Sequence, residues 1–238
     1  MIRPNSPDLD LALGKFFFVL DHGFIRVIDY MGNDAAVVQA ARVSYGEGTK
    51  TLREDAGLIK YLIKNKHTSP LEACELKLHI KLPIFVARQW IRHRTASVNE
   101  YSARYSVVTD DFYIPEQFRQ QDTKNRQGSS GIFESELNEQ MRETLLTQSR
   151  LAYQAYQFLL NSGTARELAR TILPVNFYTE WYWKIDLHNL LHFLTLRCDE
   201  HAQWEIRQYA DVIASLVKLW VPTVYEAWSL NNGGSASV

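Results

Sequence analysis

The sequence predicts an α+β fold, a single mixed domain in which helices and a sheet share one core. Three observations carry this. Residues 74–82 alternate strictly: Cys74, Leu76, Leu78, Ile80 and Leu82 against Glu75, Lys77, His79 and Lys81, as a strand with one buried face requires. Two later segments repeat apolar residues at helical spacing instead, Leu137 to Leu159 and Ala202 to Trp220. No internal repeat or sharp composition break divides the 238 residues, so 1–238 reads as one domain.

The elements follow in order. Residues 1–15 are polar and Pro-containing and read as a loosely held extension. FFFVL (16–20) and FIRVIDYM (24–31) flank Asp21-His22-Gly23 and predict a hairpin. Asn33-Asp34 offers an N-cap to a helix over 35–43. Leu52, Leu58, Ile59, Leu62 and Ile63 predict another, ending near Lys64 and Lys66. Pro83 closes the alternating strand and is placed to start a helix over 84–92. Residues 93–106 lack any period and read as a loop, as do residues 116–131, polar and Gly/Ser-ended, which read as a mobile surface loop.

A long amphipathic helix (Leu137, Met141, Leu145, Ala152, Tyr156, Leu159) stops at Gly163. Thr164 and Glu167 form a capping-box pattern for a short helix closed by Pro174. Residues 175–185 are aromatic and strand-like, and a helix from about 187 carries Leu187, Leu190, Leu191 and Leu194. The last helix ends at Pro222, and the chain end from 231, NNGGSASV, reads as flexible.

Composition excludes several classes. At 46% hydrophobic and 22% charged residues the chain can bury a core. Its net charge of −1 makes it no polycation seeking nucleic acid. No apolar run approaches the ~18 residues of a membrane span, and the N-terminus lacks a signal-peptide pattern. Two cysteines, Cys74 and Cys198, are too few for a disulfide framework and fit a reducing, cytoplasmic compartment. Neither has neighbours that would lower a thiol pKa, so neither is a good nucleophile.

Three constellations can carry chemistry. In 88–104, Arg88, Arg92, Arg94, Arg104 and His93 face a single acid, Glu100, with Ser97, Asn99 and Ser102 as neutral donors. Arg88 and Arg92 share a helix face by spacing, and guanidinium forks bind phosphate bidentately. The set suits a nucleotide; the competing reading is a solvated basic loop. In 188–205, His188 and His192 stand one turn apart, with Arg197 and His201 beyond. That is half a metal site, yet no Glu directly follows His188 and no cysteine pair helps, so structural histidines compete, and no metal is expected. In 165–174, Arg166 and Arg170 share a face near a helix start; two exposed arginines are the alternative. His67 is a lone loop histidine. No Rossmann or Walker glycine pattern occurs.

At Arg92-His93-Arg94, with seven residues before Ser102, the sequence resembles the flavin-dependent thymidylate synthases (ThyX), whose signature is this RHR-x7-S pattern. The likeness extends over RHRTASVNEYSARYS and covers MGND (31–34), AARVSY (40–45), HTSPLE (67–72), PIFVARQW (83–90), ARTILP (169–174) and LRCDEHAQWEIRQYA (196–210). It implies a homotetramer with active sites shared between subunits. It also implies conversion of dUMP to dTMP with 5,10-methylenetetrahydrofolate as carbon donor and FAD, reduced by NADPH, as hydride source. No cysteine nucleophile takes part in that route, and no nucleic acid or membrane partner is implied.

Carried over, the resemblance implies dUMP contacts from Gln89, Trp90, Ile91, Arg92, Glu100, Tyr101, Ser102, Ala103 and Arg104, with Arg170 reaching in from a neighbouring subunit. Arg197 matches the arginine that polarises the uracil ring, the one catalytic assignment. FAD contacts would come from Ser69, Arg92, His93, Arg94, Glu100, Asp186, Leu187, His188 and His192, with His67 as an accessory group near flavin and substrate. Ala103 stands where some members have Gly, and Ser69 where some have Thr. Asp186, His188 and His192 stand where another branch has Asn, Arg and Asn. Ser102 is expected to position dUMP, because no histidine base is patterned beside it. Two alternatives come from other classes. One is a zinc-dependent hydrolase on His188, His192 and His201. The other is a nucleic-acid module stacking bases on Trp90, Tyr101 and Tyr105.

Overall fold

The computed structural model describes residues 4–43, 52–123 and 128–231, with the backbone alone at 52–54. Its centre is an antiparallel five-stranded sheet: β1 (Phe16–Val19), β2 (Gly23–Met31), β3 (Glu75–Pro83), β4 (Ser97–Glu100) and β7 (Tyr178–Asp186), in the order β1-β2-β3-β7-β4. The predicted hairpin is β1–β2, with Val19 opposite Gly23. The alternating strand lies mid-sheet, pairing Leu78 with Val27 on one side and Trp183 on the other.

One sheet face carries Ile25, Val27, Leu76, Leu78, Ile80, Trp181, Trp183 and Ile185, all buried. Helices cover that face: α5 (Ile84–Trp90), α8 (Leu187–Arg197) and α9 (Trp204–Trp220). Trp90 of α5 is 0% exposed, with its ring 4.7 Å from Phe193, 5.2 Å from Trp183 and 5.8 Å from Trp181. Edge-to-face and stacked aromatic pairs of this kind fix the angle of α5 on the sheet. Among the described residues no helix packs closely on the other face. There His79 stacks on Tyr182 at 4.9 Å, contacts Glu180 at 2.9 Å and meets Arg26 at 3.1 Å.

The rest of the core is helical. α2 (Asp34–Arg42) is capped by Asn33, whose side chain accepts from the Ala36 N–H at 3.0 Å. α3 (Leu52–Lys64) buries Ile59 and Leu62, and α4 (Ser69–Glu72) buries Pro70 and Leu71. α6 (Ser135–Asn161) is the longest helix, and α7 (Arg166–Ala169) leads into a 3₁₀ turn, Arg170–Ile172.

Several expectations need correction. The N-terminal extension is anchored: α1 (Pro7–Asp10) buries Leu9 completely, and the Ser6 hydroxyl donates to the Leu219 carbonyl at 2.8 Å. Residues 1–3 lie outside the described residues, as do 44 and 45 of the AARVSY match and the 232–238 part of the tail; Asn231 closes a helix. The 93–106 segment contains β4, an edge strand exposed along its whole length. With neither face buried, no period of two is imposed on its sequence. The 116–131 segment holds a two-stranded ribbon, β5 (Arg119–Gln121) with β6 (Ser129–Ile132); 124–127 lie outside the described residues.

The capping box does not form. Thr164 donates its N–H to Leu159 O and Gly163 to Leu160 O, closing α6, while Ala165 caps α7. Gly163, at φ 83°, supplies the left-handed residue that this ending needs. Pro222 does end α9, and it also opens α10 (Pro222–Asn231), where first-turn Pro is favourable. Arg88 and Arg92 do not share a helix face, because α5 ends at Trp90.

Candidate functional site

Helix α5 is locked inward by Val86, Ala87 and Trp90, so Gln89 and the residues just beyond Trp90 turn outward at its end. The His93 N–H bonds to the Trp90 carbonyl at 3.0 Å, and Arg92 and Arg94 are exposed on either side. Helix α8 is likewise locked by Leu190, Leu191, Phe193 and Leu194. Its last residue, Arg197, therefore meets the end of α5.

Arg197 Nε donates to His93 Nε2 at 3.0 Å, and its Nη2 to the Gln89 carbonyl at 3.4 Å. Both partners are neutral, and among the described residues no carboxylate pairs with this guanidinium. Burial pulls the Arg197 pKa down, yet an arginine stays charged. The result is a half-buried positive charge without a counter-ion, a costly arrangement that an anionic ligand relieves. His93 accepts from Arg197, so its imidazole is neutral. Burial first, then the charges of Arg197 and His192, lower its pKa to about 4. The His93 and His192 rings lie 6.3 Å apart.

The next predicted group sits on and beyond β4. The Thr179 hydroxyl donates to Glu100 Oε1 at 2.8 Å, and the Tyr101 N–H bonds to the Glu180 carbonyl at 2.8 Å. Beyond it the chain turns. The Ser102 carbonyl accepts from the N–H groups of Tyr105 and Ser106, and Ser102 Oγ accepts from Arg104 N–H at 3.3 Å. Among the described residues no base is hydrogen-bonded to the Ser102 hydroxyl, which leaves it unactivated. Ala103 is buried in a small second core with Val108, Tyr156 and Ala169. Tyr153 and Tyr156 of α6 clamp the Val108 backbone from both sides, at 3.1 and 3.2 Å. A long helix thus holds this loop in place.

Arg104 pairs with Glu167 at 3.5 Å, and Arg166 is occupied by the Tyr105 carbonyl at 2.6 Å. Arg170 is exposed at the start of the 3₁₀ turn. Since α7 is one turn long, helix-terminus attraction adds little here.

His67, His188 and His192 line one cavity of about 460 Å³, with Lys64, Lys66 and Thr68 on its rim. Ser69 is exposed at the start of α4. Asp186 accepts from Asn189 N–H at 2.9 Å and from its Nδ2 at 2.6 Å, so this carboxylate is engaged as the α8 cap. Leu187 is fully buried, as is Trp90, so these two predicted contacts are confined to backbone atoms; Ile91 is 40% exposed. The buried indole of Trp90 also removes one of the three proposed base-stacking surfaces. His201 lies in the turn before α9, bonded to Asp199. Among the described residues no three His, Cys, Asp or Glu side chains gather around a metal position.

The donor set fits a flavin dinucleotide. Arg92 and Arg94 are exposed cations for a diphosphate, and the three-histidine cavity offers ring nitrogens for hydrogen bonding. Two contributors had no sequence signal, because only the fold brings them in: Thr179 against Glu100, 79 residues away, and Gln203 against Gln89, 114 residues away.

An uncompensated arginine beside a cation-rich loop, on a mixed sheet-and-helix domain, defines a protein built for an anionic, nucleotide-like ligand. Comparison with known proteins narrows this. A family profile described as "Thymidylate synthase complementing protein" matches residues 26–223. A Wolbachia pipientis protein named flavin-dependent thymidylate synthase is 56% identical over 95% of this chain and 80% of its own. One of the same name from Gluconobacter oxydans is 55% identical over 95% and 76%. Among solved structures, the UMP/dUMP methylase PolB from Streptomyces cacaoi, bound with 5-Br dUMP, superposes with a TM-score of 0.82. It shares 32% identity over 90% of this chain and 97% of its own. The chain belongs to the thymidylate synthase complementing protein family, that of the flavin-dependent thymidylate synthases.

Proposed function

We propose that the chain methylates dUMP to dTMP, with 5,10-methylenetetrahydrofolate giving the carbon and NADPH the reducing hydride. The balance is dUMP, methylenetetrahydrofolate, NADPH and a proton to dTMP, tetrahydrofolate and NADP⁺. FAD, when bound, supplies the hydride relay between NADPH and the carbon being transferred. The observation that carries the reading is Arg197, half-buried and without a carboxylate. In a site closed from water such a guanidinium stabilises negative charge as it develops on a uracil ring.

The chain's own groups divide as follows. Arg197 is the catalytic residue, and His93 holds its guanidinium by accepting from Nε. Gln89, Ile91, Arg92, Glu100, Tyr101, Ser102 and Arg104 bind dUMP, with Trp90 and Ala103 contributing backbone. Arg170 binds it from a neighbouring subunit. Arg92, His93, Arg94, Glu100, Ser69 and the α8 start with His188 and His192 hold FAD, and His67 closes the same cavity. Cys74 and Cys198 are buried with thiols pushed up to about 12, so neither supplies a thiolate.

The assembly is a homotetramer with sites shared between subunits. This is supported by large side chains left uncovered in one chain: Phe18 at 81% on the sheet side opposite α5, α8 and α9, and Phe158 at 69% on α6. Free, buried thiols support a cytoplasmic location. The test is turnover by the FAD-loaded protein with dUMP or UMP, both folate and NADPH present. Formation of dTMP dependent on all three additions is expected; no product from dUMP would overturn the reading.

A further inference from the structure

Gln89 is tied to a buried carboxylate on the far side of the site. Its Nε2 donates to Gln203 Oε1, and Gln203 Nε2 donates to Glu205 Oε2 at 2.8 Å. Glu205 is 3% exposed, and its other oxygen accepts from Arg119 at 2.6 Å and from the Tyr113 hydroxyl at 3.2 Å. Three groups thus converge on the Glu205 carboxylate, and the network joins three chain regions: the end of α5, residues 113–119 and the start of α9.

Amides are ambiguous in which end is nitrogen, and their neighbours decide. A carboxylate only accepts, so Gln203 must turn its NH₂ to Glu205 and its carbonyl to Gln89. Gln89 must then turn its own NH₂ to Gln203. Its carbonyl oxygen is left to face away from that contact, as an acceptor.

We infer that Glu205 is a positioning residue which, through Gln203, fixes the Gln89 amide so that its carbonyl accepts from an N–H or O–H of the bound nucleotide. Either the uracil N3–H or a ribose hydroxyl meets that description. The inference rests on the proposed function, in which Gln89 contacts dUMP. Arg119 and Tyr113 hold the carboxylate still, and a lone flexible glutamine could not hold one orientation against water.

The test is a double-mutant cycle on the FAD-loaded protein, reading dUMP Kd by titration and kcat at saturating dUMP. Gln203→Met removes the relay at an exposed position and leaves the Glu205–Arg119–Tyr113 contacts in place. It is expected to weaken dUMP by about three- to tenfold, one net hydrogen bond, with kcat within about twofold. Glu205→Gln should weaken dUMP to a similar extent, and the double variant should be no weaker than the weaker single.

Unchanged dUMP affinity in Gln203→Met, or losses that multiply in the double variant, would overturn the inference. Should Glu205→Gln fail to fold, the cycle runs with Gln89→Met, in whose background Gln203→Met must have no effect on Kd. The wild-type titration separates the two levels. A wild type that ignores dUMP defeats the proposed function and this inference together, whereas a binding wild type with an indifferent Gln203→Met defeats the inference alone.

Discussion

Arg197 shows how one side chain acquires a role from what surrounds it. Its neighbours are an imidazole nitrogen and a peptide carbonyl, both neutral, so its charge is left for a ligand. Arg197→Ala is expected to weaken dUMP binding and lower kcat by about 10²–10³-fold, the scale of losing one preorganised charge donor, as steady-state kinetics would show. Unchanged kinetics would remove it from the mechanism. Ser102→Ala should keep substantial turnover, since no base among the described residues activates that hydroxyl; loss of all turnover with dUMP and FAD binding intact would contradict this.

The sign of the pH dependence follows from His93. Its folded pKa of about 4 lies below its ordinary 6.5, so the native state resists protonation. The full stability is present above about pH 6.5 and is lost as pH falls from there through about 4. His93→Gln keeps an acceptor for Arg197 and does not titrate, so it should flatten that acid loss in melts recorded from pH 7 to 4. The RHR-x7-S motif names His93, and nothing in the spacing says that Arg197, 104 residues on, lies against it. That contact exists because two helices end at the same place.

At the scale of elements, legibility tracks burial. β3 could be read residue by residue because one face is buried without exception, and α9 because its stripe meets the sheet. β4 could not, since an exposed edge strand leaves its residues free of pattern. α10 was hidden by Pro222, which reads equally as a stop and as a start. Gly23 is demanded by packing. A Cβ there would lie 2.0 Å from the Tyr209 hydroxyl, which donates to the Lys81 carbonyl beneath the hairpin. Gly23→Ala should cost about 1–3 kcal/mol, the range for overpacking a core, read from denaturant unfolding. A variant as stable as wild type would show that Tyr209 moves freely.

For the whole molecule, the charge of −1 averages over a cationic rim around Arg92, Arg94, Arg104 and Arg170. The exposed aromatics of the sheet face opposite α5, α8 and α9, and of α6, are the surfaces that the proposed homotetramer is expected to cover. Light scattering should give four times the chain mass, and Phe18→Glu should shift it to a smaller species; a monomeric wild type would contradict shared sites. The central claim is that this chain is a flavoenzyme whose site takes dUMP. Its most direct test is the visible spectrum of the purified, FAD-loaded protein titrated with dUMP. A flavin spectrum that shifts saturably with dUMP is predicted. A protein that takes up no FAD, or a flavin spectrum indifferent to dUMP, would contradict it.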